Sequence, residues 1–266
     1  MAPAGAPRTG RSTRTDRRAR QEPGAGPSSQ ISIWDLPERG TRGPKPRHDR
    51  VAIAATAVRI ADAEGLDALT MRRVASALGI ATMSLYNYVP AKDQLAQLMI
   101  DQLAGEYRYP PVPPSDKRPA IADLAGQARD IARRHPWLPG LLHRPAPPGP
   151  GGLRYLDYFL GLLADSGLDT GAKMEVIALI SGFATMYGGM LANARAGGRS
   201  SADEQAAAQL HAFARAASSG QYPNLAAALA VAGPARGEDE IFESCIMRLI
   251  DVATPARSRA SRQHST

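Results

Sequence analysis

The chain has 266 residues, 44% of them apolar and only 14 aromatic, enough for a sizeable core in roughly two small domains. A single cysteine, Cys245, excludes an intrachain disulfide and any zinc site built on two cysteines of one chain. The net charge of +7 sits at the ends: residues 1–50 carry 11 Lys/Arg against 5 Asp/Glu, whereas residues 51–250 carry 18 against 19.

Residues 1–44 read as a disordered basic extension, with Arg8, Arg11, Arg14, Arg17, Arg18 and Arg20 among Pro, Gly and Ser and few apolar groups to offset the entropy of ordering. Such an arm suits a polyanion such as DNA, and it equally serves as a solvated tail. Arginine, proline and glycine stand where a secretory leader needs an apolar stretch, so the expected compartment is the cytoplasm. Within the extension, Ile31–Leu36 (ISIWDL) offers one Trp that can dock on something, but Gly40, Gly43, Pro44 and Pro46 follow and forbid a regular element.

The pattern changes at Arg50. Val51, Ala54, Ala55, Val58 and Ala61 fall on one face of a helix that Gly65 ends. Thr70 precedes a short periodic run (Val74, Ala75, Leu78) stopped by Gly79. A second run covers Thr82 to Tyr88, and Pro90 opens a fourth carrying Leu95, Leu98, Met99 and Leu103. Residues 45–108 form one expected domain. Prolines 110, 111, 113, 114 and 119 make 109–119 a stiff linker. Residues 120–253 then read as helical throughout: Ile121–Arg134, halted by His135-Pro136-Trp137-Leu138-Pro139; Leu153–Leu163; a long helix capped by Asp169 or Thr170 and running to about Asn193; Ala202–Ala217; Pro223–Val231; and Asp239–Val252. Residues 254–266 read as a disordered tail. No segment alternates with period two, so no strands are expected. Val176–Ala194 holds 19 residues without a formal charge, a length near that of a bilayer span, but its Ser181, Gly182, Thr185, Gly188 and Gly189 also suit a buried helix–helix seam, and no membrane partner is expected.

The informative run is Leu69–Lys92, LTMRRVASALGIATMSLYNYVPAK. A helix-turn-helix needs a small residue where the helices cross, a left-handed turn residue four positions on, and a large apolar residue six positions later; Ala75, Gly79 and Leu85 meet all three. The exposed rim of the second helix then holds Ala81, Thr82, Met83, Ser84, Asn87 and Tyr88. An ordinary three-helix packing motif shows the same spacings. Metal and catalytic sites are not expected: none of the five histidines pairs at i,i+3 or i,i+4, and no phosphate-loop or nucleophile-elbow motif is placed to act.

The same run resembles the DNA-binding domain of the tetracycline-repressor (TetR) family. The matching residues are Glu64, Gly65, Leu66, Leu69, Thr70, Arg72, Val74, Ala75, Leu78, Gly79, Leu85, Tyr86, Tyr88, Val89 and Lys92. Downstream, His135-Pro136-Trp137-Leu138-Pro139, Phe242-Glu243 and Leu249-Ile250 are similar to the family's second half. The resemblance implies an all-α protein: an N-terminal three-helix helix-turn-helix domain followed by a C-terminal helical bundle that binds a small molecule and dimerises. It implies a homodimeric, ligand-responsive transcriptional regulator, most simply a repressor on a palindromic double-stranded operator, with no cofactor and no catalytic residues. An architectural DNA binder without effector, or an all-helical enzyme or carrier, stays open on the residues alone.

Arg72 can present a bidentate fork to guanine, Thr82 and Ser84 can reach base edges or phosphates, Met83 can pack on a thymine methyl and Asn87 can pair with adenine. Tyr86 and Tyr88 resemble family positions that reach phosphates, and Lys92 lies where a helix N-terminus already favours one. Thr70 and Ala81 complete the candidate interface. Arg42, Lys45, Arg47 and Arg50 can cross the DNA backbone, enter the minor groove or simply screen charge. Candidate effector-wall residues are Trp137, Leu141, Tyr155, Phe159, Met174, Phe183, Met186 and Tyr187. The candidate dimer interface is Phe242, Cys245, Ile246 and Leu249 on the last helix, with Gly182 and Gly189 on the long one.

Overall fold

The computed structural model describes residues 32–36, 48–111, 117–142, 146–196, 199–231, 233 and 236–253. The expected arm residues Arg42, Lys45 and Arg47, most of the N-terminal extension, residues 112–116 of the linker and the tail from 254 lie outside the described residues. Eleven α-helices are described: α1 (Arg50–Glu64), α2 (Met71–Leu78), α3 (Thr82–Tyr86), α4 (Lys92–Ala104), α5 (Arg118–Arg134), α6 (Leu138–Leu142), α7 (Pro150–Leu162), α8 (Thr170–Ala196), α9 (Arg199–Ser218), α10 (Pro223–Ala230) and α11 (Glu238–Ala253). The protein is all-α, with no strand among the described residues.

The first four helices begin and end where local chemistry asks them to. Asp49 accepts from the Ala52 N–H at 2.7 Å and Thr70 Oγ1 from the Arg73 N–H at 3.1 Å, each using a donor that the first turn leaves free. Gly79 takes a left-handed backbone (φ +68°), and the Gly79 and Ile80 N–H groups bond back to Ser76 and Ala75. This paired closure ends α2 and turns the chain into α3. The buried face of α1 includes the expected Ala54, Val58 and Ala61 and widens to Ile53, Ala57 and Ile60, whereas Val51 at its start is 64% exposed.

One core joins α1–α4 through Ile53, Val74, Leu85, Leu95 and Met99, and it extends into the second half through Ile131, Ala132, Trp137 and Leu138. A second gathers Ile121, Leu124, Phe159, Ile180, Phe242 and Ile246 from α5, α7, α8 and α11. α8 is long and apolar enough to cross a membrane by length and composition, yet Val176, Ile177, Ile180 and Ala184 are packed inside the fold. Two elements escaped the periodicity: α6 forms within the proline-bounded run after His135, and α7 starts at Pro150, three residues early.

Residues 32–36 depart from the disordered extension. They form a 3-10 turn (Ile33–Asp35) with Ile33 fully buried, and Arg50 closes over it: Nη1 donates to the Ile33 and Leu36 carbonyls at 2.9 and 3.0 Å. The expected DNA contact by Arg50 is therefore corrected, because this guanidinium is 9% exposed and committed inside the fold.

α5 and α8 approach until their backbones touch. A Cβ on Gly188 would collide with the Arg129 carbonyl, and one on Gly189 would lie 2.8 Å from Pro139, whereas Gly182 faces open space. Gly188→Ala is expected to destabilise the protein by about 1–3 kcal/mol through forced separation of the two helices. Gly182→Ala should instead be neutral, or stabilising by up to about 1 kcal/mol from helix propensity. Thermal melts of the two variants check this, and equal effects would contradict the assigned packing.

Candidate nucleic-acid interface and effector site

The turn at Gly79 and the burial of Leu85 (fully) and Ala75 (1% exposed) fix α3 against α2, so the polar rim of α3 has no core to enter. Met83 is 74% exposed and Tyr86 40% exposed; Arg72, Thr70, Ala81, Asn87 and Lys92 are exposed as well. Thr82 and Ser84 are half-buried. Tyr88 packs partly against the first core, and α3 ends at Tyr86 rather than Tyr88, so Tyr88 leaves the helix as the chain turns toward Pro90. The two arginines of α2 are in different states. Arg73 is tied to Glu64 (Nη2–Oε1 2.5 Å), and that hydrogen bond, with the Coulombic attraction behind it, holds the Glu64 carboxyl below its usual range. Arg72 makes no such bond among the described residues. Lys92 opens α4, whose first-turn N–H groups have no side-chain cap at Ala91. The structure thus brings Arg72, Met83, Tyr86 and Lys92 to the surface of the α1–α4 unit and buries Arg50 within it.

The eight expected effector-wall residues separate. Tyr155, Phe159, Phe183 and Tyr187 share the second core, where Tyr155 lies edge-on to Phe159 and Phe183 is stacked 6.1 Å from Phe242. Trp137 and Leu141 face the first core instead; the Trp137 indole N–H donates to Asp62 Oδ1 at 2.7 Å. Met174 (40% exposed) and Met186 (61%) lie on the outer surface of α8. These four thus fall outside the aromatic cluster; for Met174 and Met186 the reason is that α8, apolar nearly all round, gives no sign of which side meets its neighbour. Sequence reasoning missed Tyr107, Tyr109 and Tyr158, which join the aromatic cluster at centroid distances of 4.7 Å (Tyr107–Tyr155) and 5.0 Å (Tyr109–Tyr158). Their signal was the Tyr-Arg-Tyr run, hidden by the prolines beside it.

A separate groove of about 570 Å³ opens between the end of α4 and α5, lined by Glu106, Arg108, Tyr109, Asp123, Gln127 and Arg134 among others; none of the expected wall residues borders it. Its charges are mutually engaged: Arg134 pairs with Glu106, and Gln127 bonds Asp123 and both backbone polar groups of Arg108. Next to it, His135 Nδ1 lies 2.7 Å from Asp62 Oδ1 and Nε2 lies 3.3 Å from Glu106 Oε1.

Of the expected dimer residues, Phe242, Ile246 and Gly189 are corrected because the protomer itself covers them, while Gly182 stays open. Phe242 and Ile246 are 2% and 1% exposed inside the protomer, Gly189 is covered by Pro139, and Cys245 and Leu249 are half-buried. The uncovered apolar stripe of α8 is Leu179, Gly182, Met186 and Met190, with Met247 of α11 40% exposed.

Comparison with known proteins places these features. The profile described as "Bacterial regulatory proteins, tetR family" matches residues 53–99, and that described as "Tetracyclin repressor-like, C-terminal domain" matches residues 110–252. The chain is 38% identical over 156 residues to the HTH-type transcriptional repressor DrrR1 of Streptomyces coeruleorubidus, a match that covers 57% of this chain and 56% of that repressor. Among solved structures, apo ActR from Streptomyces coelicolor superposes with a TM-score of 0.66 at 27% identity, covering 79% of this chain and 98% of ActR. ActR in complex with actinorhodin gives 0.66 at 26% identity, over 78% of this chain and 95% of ActR.

Tyr155 lies at the centre of the aromatic cluster, next to Tyr107 and Phe159. Burial raises its phenol to about 12, against an opposing hydrogen bond with Ser181 Oγ at 2.6 Å. A folded value above the unfolded one means that stability is fully present below pH 10 and is lost as pH rises toward about 12. Tyr155→Phe should flatten that alkaline loss while costing about 1 kcal/mol at neutral pH. Denaturant melts between neutral and alkaline pH check both, and an unchanged alkaline limb would contradict the assignment.

Proposed function

Because the chain belongs to the TetR family of transcriptional regulators, we propose that it is a ligand-responsive repressor, binding a palindromic operator as a homodimer and released by a small-molecule effector. Residues 45–108 read DNA, residues 120–253 bind the effector and dimerise, and 109–119 joins them. The observation that carries this reading is the exposed rim of the helix-turn-helix, with Arg72, Met83, Tyr86 and Lys92 held outward by a buried Leu85.

α3 enters the major groove, where Met83 offers an apolar contact to thymine methyls and Thr82, Ser84 and Asn87 offer polar ones to base edges or phosphates. Arg72 supplies the fork for guanine. Lys92 at the N-terminus of α4 holds a phosphate. Two copies join through the α8 stripe Leu179–Met190 and the neighbouring edge of α11, since an apolar strip of this kind on a helix is otherwise left in water. The α9–α10 hairpin, with no buried residue among those whose burial is described, gains cover in the same assembly. Twofold symmetry then sets the two α3 helices about one DNA turn apart.

The aromatic cluster around Tyr155 and Phe159 suits an aromatic organic effector, as the ActR complex with actinorhodin illustrates for that protein. A ligand that fits only one arrangement of α5, α7 and α8 moves α4, and coupling of about 1–3 kcal/mol changes operator affinity roughly 5- to 150-fold. The protein acts in the cytoplasm and performs no catalysis.

Binding to the DNA flanking its own gene tests the reading, by mobility shift and footprinting. Arg72→Ala should weaken specific binding by about 1–3 kcal/mol and relax preference at one base pair, whereas Lys92→Ala should weaken all sequences alike and lower the salt slope by about 1. Anisotropy titrations at several salt concentrations separate the two. Leu179→Glu combined with Met186→Glu should leave helicity intact and convert the dimer to monomer in light scattering; a persistent dimer would place the interface elsewhere.

A further inference from the structure

Ser32–Leu36 lies outside both stretches that match the family profiles, yet it is anchored in the fold from three sides. Ser32 Oγ accepts from the Trp34 N–H at 3.3 Å and closes the turn. The Ile33 N–H donates to Gln97 Oε1 of α4 at 3.1 Å, and Arg50 at the start of α1 donates to both flanking carbonyls. Trp34 points the other way, toward α7. Its ring fills the space that a Cβ on Gly149, the residue before α7, would occupy, and the Asp101 carboxylate of α4 borders the same space.

That junction is built for close approach. The Gly152 N–H, one of the donors that the first turn of α7 leaves without a helical partner, donates to Asp101 Oδ1 at 2.9 Å. A Cβ on Gly151 would lie 2.8 Å from the Asp101 carbonyl oxygen. Gly149, Gly151 and Gly152 therefore let the start of α7 rest on α4 as a sequence bearing side chains could not. Trp34 seals the contact, but at a cost: its indole N–H is buried and has no hydrogen bond among the described residues. A donor stripped of water and left unpaired opposes its own seating, so packing holds the ring against that cost.

We propose that Ser32–Leu36 is an interdomain strap, which wedges Trp34 between α4 and the start of α7 and thereby couples movement of the effector-binding half to α4. The α4–α7 lock is a property of the fold; only its last link, from α4 to DNA, rests on the function proposed above. With Trp34 seated, α1, α4 and α7 move as one body. With it released, α7 keeps the Asp101–Gly152 bond and the glycine contacts but loses the wedge that fixes it to α4.

The chain has two tryptophans, so Trp137→Phe leaves Trp34 as the sole indole reporter. In that background, acrylamide should quench Trp34 weakly, and adding Gly149→Ala, whose methyl takes the place of the ring, should raise the quenching constant about threefold and shift emission to the red. In the chain that keeps Trp137, Trp34→Ala and Gly149→Ala should each speed hydrogen exchange at the start of α7 and along the facing turn of α4 by at least about tenfold, leaving α11 unchanged. Trp34 equally quenched with and without Gly149→Ala, or exchange in α7 unmoved by both variants, overturns the strap. A duplex from the flanking DNA supplies the functional readout. Its binding should alter exchange at the start of α7 in the parent protein and not in Trp34→Ala, with duplex affinity kept within about threefold; a response retained in Trp34→Ala also overturns the proposal. Failure of the parent to bind any duplex would count against the DNA-binding reading, with quenching and exchange still deciding the strap.

Discussion

The packing that joins the two halves is organised on the apolar faces of α4. Leu95, Leu98, Met99 and Leu103 are each no more than 4% exposed, and they share one core with Ile131, Ala132, Trp137 and Leu138 from the far side of the linker. Domains joined only by a flexible connector move independently by default. Here a close-packed interior crosses the boundary, and such interiors transmit displacement because they hold few voids in which to absorb it. The Asp62 carboxylate adds direction to that packing: it meets both the His135 ring and the Trp137 indole at 2.7 Å, which fixes α1 to the turn between α5 and α6. α4 is thus held by α1 on one side and by α6 and α7 on the other, and its first residue, Lys92, stands at the surface beside the helix-turn-helix.

Most helices were legible because their apolar residues repeat at the helical period and their ends carry unambiguous signals: Asp49, Thr70 and Gly79 each sit where a cap or a left-handed turn is needed. The exceptions have physical causes. Prolines 136 and 139 looked like a stop, but Pro139 is the second residue of α6 and Pro150 the first of α7, positions where a missing N–H leaves no helical bond unmade. Composition hid the turn at Ile33, whose burial depends on Gln97, 64 positions away, and on Arg50. No local window contains that information.

The outward side of the helix-turn-helix could be read in advance because α2 has a sharply one-sided pattern. α8 lacks one. It is apolar nearly all round, so its period established that the helix is packed without establishing which neighbour each face meets, and the glycines behaved in opposite ways: Gly188 and Gly189 serve the contact with α5 and Pro139, while Gly182 is open. In α11 the spacing of Phe242, Ile246 and Ile250 did mark a buried stripe, but one buried within the protomer. Periodicity detects burial, whichever chain supplies the cover.

The polar contacts of α11 complete the division between fixed and movable parts. Near its start, Arg129 of α5 places its guanidinium 4.5 Å above the Phe242 ring and reaches Asp239 at 2.8 Å, while Tyr187 of α8 donates to the Glu238 carbonyl at 2.9 Å. Near its end, Arg118 pairs with Asp251. With its middle buried and both ends tied, α11 is bound to α5 and α8, which are themselves joined backbone to backbone at Gly188. These three helices form a base that has little freedom to rearrange without breaking close contacts. α7 meets α4 through glycines and one carboxylate, and α6 is a single short helix between prolines. α6 and α7 are the helices that reach α4 through these contacts, while the α5–α8–α11 base holds the outer faces of α8 and α11 in register.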